Sequence, residues 1–162
     1  MSTYTVNTNF LYLRSGRRFI AGGLNDTYQN SRGYLKFDLS TSGLSLPSIT
    51  AVVLKIYAET IYGTPSIHRL RSGSVSDNWG AALQATEGDW ASTDVNIEDG
   101  KLVDAVGWYE FAVAKANLNL SGLTYFRISD MWEGETDYAY VLWTSQNAVV
   151  ATYRPKLKIT TN

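Results

Sequence analysis

The chain contains no cysteine, and this absence removes several kinds of chemistry at once. Disulfide bonds, thiolate metal ligands and cysteine nucleophiles are all excluded. His68 is the sole histidine, so zinc sites built from several histidines are excluded as well. A Ser-His-Asp relay would need His68, yet the chain has no Gly-x-Ser-x-Gly motif. We therefore expect His68 to be a partly exposed strand residue, and we expect the protein not to be an enzyme.

The chain also lacks long apolar runs and a strong net charge. No run approaches the roughly 18–20 residues of a membrane-spanning helix, and residues 1–6 do not have the basic and apolar regions of a signal peptide. The net charge is −1, which argues against nucleic acid as the main partner. We therefore expect neither a membrane nor a nucleic acid as partner. The chain also has no phosphate-binding glycine loop and no dinucleotide-binding motif, so no cofactor is expected.

The charges are nevertheless unevenly placed along the chain. Residues 1–71 hold eight basic and three acidic side chains, whereas residues 72–140 hold three basic and twelve acidic ones. If strands from both parts interleave in the sheets, these charges mix on the surface. Otherwise they form a dipolar surface that favours head-to-tail contacts between copies.

Aromatic residues make up 13% of the chain, and the strongest periodic signal is alternation with a period of two. Residues 34–39, 52–59 and 156–160 alternate in this way, which indicates half-buried antiparallel strands. The predicted core residues are Leu35, Phe37, Leu39, Val52, Leu54, Ile56, Leu157 and Ile159. The intervening residues are predicted to face the other way: Tyr34, Lys36, Lys55, Tyr57, Glu59, Lys156 and Lys158.

Weaker strand candidates fill the gaps between these segments. They are residues 3–8, 10–14, 18–22, 65–70, 93–97, 107–113, 123–129 and 138–144, with glycine-containing breakers such as Ser15-Gly16 and Asp99-Gly100 between them. Helical turns are expected at most near residues 77–84 and 112–118. The sequence therefore predicts a single all-β domain over residues 1–162, an antiparallel β-sandwich of jelly-roll type with about ten short strands.

The acidic loop 130–137 is the main candidate contact site. It places Trp132, Glu133 and Glu135 next to Tyr138, so that large rings and charge share one loop. Two carboxylates beside a tryptophan could also serve a glycosidase, and the alternative is a solvated loop between two strands. The basic candidates for contact with a partner are Arg14, Arg17 and Arg18.

Oxygen ligands for a structural calcium ion are the remaining site candidates. They are Asp26, Asp94 and Asp99, and no segment has the ordered spacing of an EF-hand loop.

Trp79, Trp90 and Trp143 are predicted to lie in the core.

Four segments, in order, resemble the DNRLRE-type domains. The segment at residues 32–40 is similar to that family's Y-L-K-F-D-L-S strand, and residues 48–57 are similar to its next strand. The stretch from Trp79 to Trp90 and the end from Ser145 to Thr160 resemble its W…T-W loop and its closing R-P-x-L-x-V-T segment. The resemblance implies a β-sandwich related to carbohydrate-binding modules, exposed outside the cell or at its surface. It does not identify a ligand.

Two functions of different classes follow from these observations. One is a virion component, such as a phage capsid decoration, tail or fibre protein, assembled in the host cytoplasm and docking on protein partners or on copies of itself. The start at Met1, the missing signal peptide and the absence of linker composition favour it. The alternative is a glycan-binding module of a secreted, polysaccharide-associated protein.

Overall fold

The computed structural model describes residues 2–5, 12–20, 27–73, 95–131, 139–145 and 147–162. Across these residues the chain is all-β, and helical geometry is confined to 3-10 turns at Leu46–Ser48, Lys115–Asn117 and Ala151–Tyr153. The strands found there are β1 (Ser2–Thr5), β2 (Tyr12–Ile20), β3 (Thr27–Ser31), β4 (Gly33–Asp38), β5 (Ile49–Gly63), β6 (Ser66–Gly73), β7 (Val95–Val103), β8 (Gly107–Ala112), β9 (Leu123–Asp130), β10 (Ala139–Thr144) and β11 (Lys156–Thr161). None of the described residues belongs to a helix long and apolar enough to span a membrane.

All strand pairs are antiparallel, and they form two hydrogen-bonded sheets. The first sheet has the order β1-β11-β5-β10-β2-β3, and β8 pairs with the opposite edge of β5. The second sheet has the order β4-β9-β6-β7. The strands curl into a half-barrel around one hydrophobic core, to which both sheets contribute.

The long strand β5 organises the first sheet. Its second half, up to Gly63, pairs with β10, and its first half, from Ile49, pairs with β11. The two partners therefore lie end to end along β5, like one strand that is interrupted between Thr144 and Lys156. The residues at the interruption leave the line of the sheet and include the 3-10 turn at Ala151–Tyr153.

The core follows the alternation seen in the sequence. All eight predicted core residues are at most 4% exposed, while Tyr34, Lys36, Lys55 and Lys158 are half-buried on the opposite faces. Trp143 is fully buried, as predicted, and Trp79 and Trp90 lie outside the described residues. The predicted turn near residues 112–118 is the 3-10 turn at Lys115–Asn117.

Three sequence expectations are corrected by the fold. The Ser15-Gly16 pair does not separate two strands, because β2 runs through it with Gly16 at a φ of 116°. Strand β7 likewise continues through Asp99-Gly100, where Gly100 has a φ of 85°. Strand β3 was not expected from residues 27–31, whose sequence, Thr-Tyr-Gln-Asn-Ser, lacks an alternating apolar pattern. Strand β3 joins the sheet through its antiparallel backbone pairing with β2.

Candidate functional site

The outer face of the first sheet, opposite the core, carries rows of side chains set by strand register. In one row, Lys55 of β5 lies between Lys156 of β11 and Glu110 of β8. In the next row, Tyr57 of β5 lies opposite Trp108 of β8. Because neighbouring residues of a strand point to opposite faces, Leu54 and Ile56 enter the core while Lys55 and Tyr57 reach the surface.

Three aromatic rings form a cluster on this face. The ring of Tyr153 stacks on that of Tyr57 with centroids 4.1 Å apart and an interplanar angle of 1°. The ring of Trp108 meets Tyr57 edge-on, with centroids 5.5 Å apart. Tyr153 reaches this position because the interrupted strand places the 3-10 turn beside β5, where the Thr144 Oγ1 hydroxyl donates to the Tyr153 carbonyl at 2.5 Å.

Lysine side chains surround the tryptophan of this cluster. The Lys156 Nζ atom lies 5.1 Å from the centroid of the Trp108 ring, and the Lys55 Nζ atom lies 5.5 Å from it. Lys158 follows two residues later on the same face of β11. Together these groups line an open groove of about 370 Å³, which we call the aromatic–lysine groove. Its lining residues are Lys55, Trp108, Thr152, Tyr153, Lys156 and Lys158.

The groove carries an excess of positive charge. One of its three lysines, Lys55, forms an ion pair with the carboxylate of Glu110 at 2.5 Å. The hydrogen bond from Lys55, and then the charges of Lys55 and Lys158, hold the pKa of Glu110 below its usual value. Within the described part of the chain, Lys156 and Lys158 have no carboxylate at ion-pair distance. Burial raises the pKa of Tyr57, which therefore stays a neutral hydroxyl at physiological pH.

A second aromatic pair lies on the same sheet. Tyr62 of β5 and Tyr140 of β10 are paired in register, and their rings stack with centroids 4.4 Å apart at 19°. The guanidinium carbon of Arg14, on β2, lies 5.1 Å from the centroid of Tyr140. Arg14 is thus a predicted contact residue that the structure places beside an aromatic surface.

The other predicted contact residues are placed as follows. The backbone of Arg17 and Arg18 lies in β2, opposite Asn30 and Gln29 of β3. Trp132, Glu133, Glu135 and Tyr138 lie outside the described residues.

Of the predicted calcium ligands, Asp99 alone lies within the described residues, and its carboxylate is already engaged. Arg71 lies 3.3 Å from one of its oxygens, and the Asn96 side-chain amide donates to the other at 2.7 Å. Asp26 and Asp94 lie outside the described residues. In the part of the chain that the structure covers, no three acidic or histidine side chains cluster as metal ligands would.

His68 is fully buried, and the expectation of a partly exposed strand histidine is therefore wrong. Its Nδ1 atom lies 3.3 Å from the Ser66 hydroxyl, and its ring meets that of Trp143 edge-on at 5.5 Å. Trp143 in turn donates its indole N–H to Ser15 Oγ at 2.7 Å. These contacts make His68 part of the packing between the two sheets.

The sequence contained a partial signal for the aromatic–lysine groove. Alternation in β5 and β11 placed Lys55, Tyr57 and Lys158 on outward faces. It did not show that β8 brings Trp108 next to Tyr57, because that pairing joins segments about fifty residues apart. Tyr153 was not predicted at all, since it lies in a turn without periodicity.

No protein-family model matches the chain, and no curated protein matches it. The groove and its side chains are therefore the basis for assigning a function.

Proposed function

We propose that this protein is a non-catalytic binding module that recognises an acidic carbohydrate in the aromatic–lysine groove. The observation that carries the proposal is the meeting of two aromatic rings, Trp108 and Tyr153, with three lysines in one open groove on a sheet face, where Tyr57 contacts both rings. This combination suits a ligand with both apolar faces and negative charge.

The aromatic rings supply the surface that a sugar needs. One face of a pyranose ring presents mainly C–H groups, which pack against an aromatic ring as other apolar groups do. The stacked pair of Tyr57 and Tyr153 is a pre-formed surface, because the two rings already hold each other in position. Little side-chain freedom is then lost when a ligand binds.

The lysines supply the charge selectivity. An ammonium group has three N–H donors and no acceptor, so it pairs with carboxylate or sulfate groups and with hydroxyl oxygens. Lys156 and Lys158 remain available for such contacts, since Glu110 is paired with Lys55. A neutral sugar would leave these charges uncompensated, and an acidic one compensates them.

Nucleic acid is a weaker candidate for the same groove. Its binding depends on neutralising many phosphates along an extended basic surface, whereas this chain has a net charge of −1. A short anionic unit, such as a uronate or a sulfated sugar, fits three local lysines better.

We further propose that the fold is a jelly-roll sandwich, the architecture of many carbohydrate-binding modules that the DNRLRE-type resemblance also implies. Taking β1 with β2, and β10 with β11, as single interrupted strands leaves eight main strands, and β3 extends one edge. Numbered in chain order, one sheet then holds the first, eighth, third and sixth of them, and the other holds the second, seventh, fourth and fifth. This is the order that wrapping paired strands into a jelly roll produces.

The test is retention on a panel of immobilised polysaccharides, neutral and acidic, at low and high salt. We expect retention by acidic members such as polygalacturonate or heparin, with weaker retention at high salt because the lysine contacts are screened. Trp108→Ala and a Lys156→Gln/Lys158→Gln double variant should each lose retention. The control is Tyr34→Ala, which removes an outward tyrosine from the second sheet. Equal retention of wild type, Trp108→Ala and the lysine variant would contradict the proposal.

A second function, docking on a virion, is favoured by a different observation. Val149 is 90% exposed and Val150 is 47% exposed, and both belong to the segment that also carries Tyr153. Two adjacent exposed valines suit a protein partner better than a sugar. If this function is right, replacing both with serine should reduce incorporation into particles or self-association in light scattering, and should leave polysaccharide retention unchanged.

A further inference from the structure

The stacked pair of Tyr62 and Tyr140 lies on the same face as the aromatic–lysine groove because of a β-bulge. Tyr57 and Tyr62 are five residues apart, so in a regular strand they would point to opposite faces. The register between β5 and β10 shifts at Trp143, which pairs with Ala58, and Leu142, which pairs with Thr60. The extra residue, Glu59, restores the outward direction of Tyr62, and Ile61 turns inward against the core.

The two aromatic surfaces are separated along one strand. Because the bulge takes up one of the five residues, about four rises of roughly 3.3 Å separate Tyr62 from Tyr57, which is roughly 13 Å along β5. A ligand that touches both is therefore longer than one sugar ring. The residues between them on this face, Thr60 of β5 and Leu142 of β10, are both half-buried.

The second surface repeats the chemistry of the first. The Tyr62 side chain is 37% exposed and lies on Tyr140, which is itself buried. Arg14 supplies a cation that lies over the ring of Tyr140, and none of the described carboxylates lies at ion-pair distance from it. The nearby acidic residue is Glu59, whose charge contributes to raising the pKa of Tyr57.

We infer that Tyr62 and Arg14 form a second subsite for the same acidic polysaccharide, so that the ligand binds as an extended chain along the outer face of β5. The inference rests on the proposed function and adds a length requirement to it. A monosaccharide or short oligomer fills the aromatic–lysine groove alone. A longer acidic chain continues past the bulge, stacks on Tyr62 and places a carboxylate or sulfate group against Arg14.

The experiment is isothermal titration calorimetry with polygalacturonate oligomers of defined length. For the wild type, affinity should rise with length and then level off once both subsites are filled. Tyr62→Ala and Arg14→Gln should each weaken binding of the long oligomers by up to about tenfold, as the loss of one stacking or charge contact implies. Neither should change binding of the shortest oligomer. Trp108→Ala should weaken binding at every length, and Tyr34→Ala should weaken none.

The outcomes distinguish a failure of the second subsite from a failure of the proposed function of the aromatic–lysine groove. If Tyr62→Ala and Arg14→Gln bind long oligomers like the wild type while Trp108→Ala does not, the second subsite is wrong and the groove stands. A loss that is equal at every length for Tyr62→Ala would also overturn the second subsite. If the wild type binds no acidic oligomer, both the second subsite and the proposed function are wrong. Thermal unfolding of each variant checks that the fold is intact, and Arg14→Gln gives an independent reading if Tyr62→Ala does not fold.

Discussion

Removing the Ser15 hydroxyl should destabilise the protein through a single buried hydrogen bond to Trp143. Both residues are fully buried, and the indole N–H donates to Ser15 Oγ at 2.7 Å. Edge-on contacts with His68 and Tyr109 hold the indole in place, so that it cannot turn to find another acceptor. Ser15→Ala therefore leaves a buried donor without an acceptor, which costs about 1–3 kcal/mol.

A double-mutant cycle isolates this bond from the packing of the ring. Trp143→Phe removes the donor and part of the ring, at a cost below the roughly 3–5 kcal/mol expected for Trp→Ala. In the Trp143→Phe background, Ser15→Ala leaves no buried donor without an acceptor. The change in the free energy of unfolding caused by Ser15→Ala should therefore be close to zero. The free energy of unfolding should then show a coupling of about 1 kcal/mol or more between the two positions.

Urea unfolding followed by far-UV circular dichroism measures the cycle, since the fluorescence signal changes with Trp143 itself. The slope of the free energy of unfolding against urea concentration, the m value, should be the same for all variants. Thr41→Ala, which removes an exposed hydroxyl, is the control and should change stability by no more than about 0.5 kcal/mol. Additive effects within about 0.5 kcal/mol would refute the role assigned to the bond.

Two further predictions concern the sheet that carries the groove. Gly16→Ala should destabilise the protein by at least about 1–3 kcal/mol in urea unfolding, because Gly16 has a φ of 116° and a new Cβ would lie 2.6 Å from Tyr140 Cα; an unchanged midpoint would contradict this. Glu110→Gln should lower stability at pH 7 by less than about 1 kcal/mol, since the pair with Lys55 is half-exposed. Because the folded-state pKa of Glu110 lies below its ordinary value of 4.5, the difference from the wild type should begin to shrink as the pH falls below 4.5 and should vanish once the pH lies below the lowered pKa. A difference that stays constant as the pH is lowered from neutral into the acid range would contradict this.

The sequence predicted the parts of the fold that alternation controls. Within residues 35–39, 52–58 and 157–159 every second residue is apolar, and each of these is buried. Alternation did not predict where strands continue or form when backbone geometry and pairing decide this. Strand β2 continues through Gly16 because glycine tolerates a positive φ, whereas the same residue had suggested a break. Strand β3 forms by pairing with β2, without an apolar pattern of its own.

The site was less predictable than the fold, because it depends on pairing between distant segments. Tyr57 and Lys55 were recognised as outward residues, but their neighbours Trp108 and Tyr153 come from β8 and from a 3-10 turn. Arg14 was chosen for its charge, and its place beside Tyr140 depends on the register of β2 with β10. The outward direction of Tyr62 depends on a bulge that no local pattern encodes.

The interruption between β10 and β11 separates the segment that carries Tyr153 from the strand pairs that hold the register. Strand β10 is fixed on β5 by Trp143 opposite Ala58, and β11 is fixed independently by Leu157 opposite Leu54. The segment between Thr144 and Lys156 leaves and rejoins the same line, so neither pairing fixes its length. Within it Ser145, Ala148 and Pro155 are buried, whereas Val149 to Tyr153 are exposed. If the proposed groove binds a ligand, replacing the exposed part of this segment, Val149 to Tyr153, would change the binding surface and leave both strand pairings as they are.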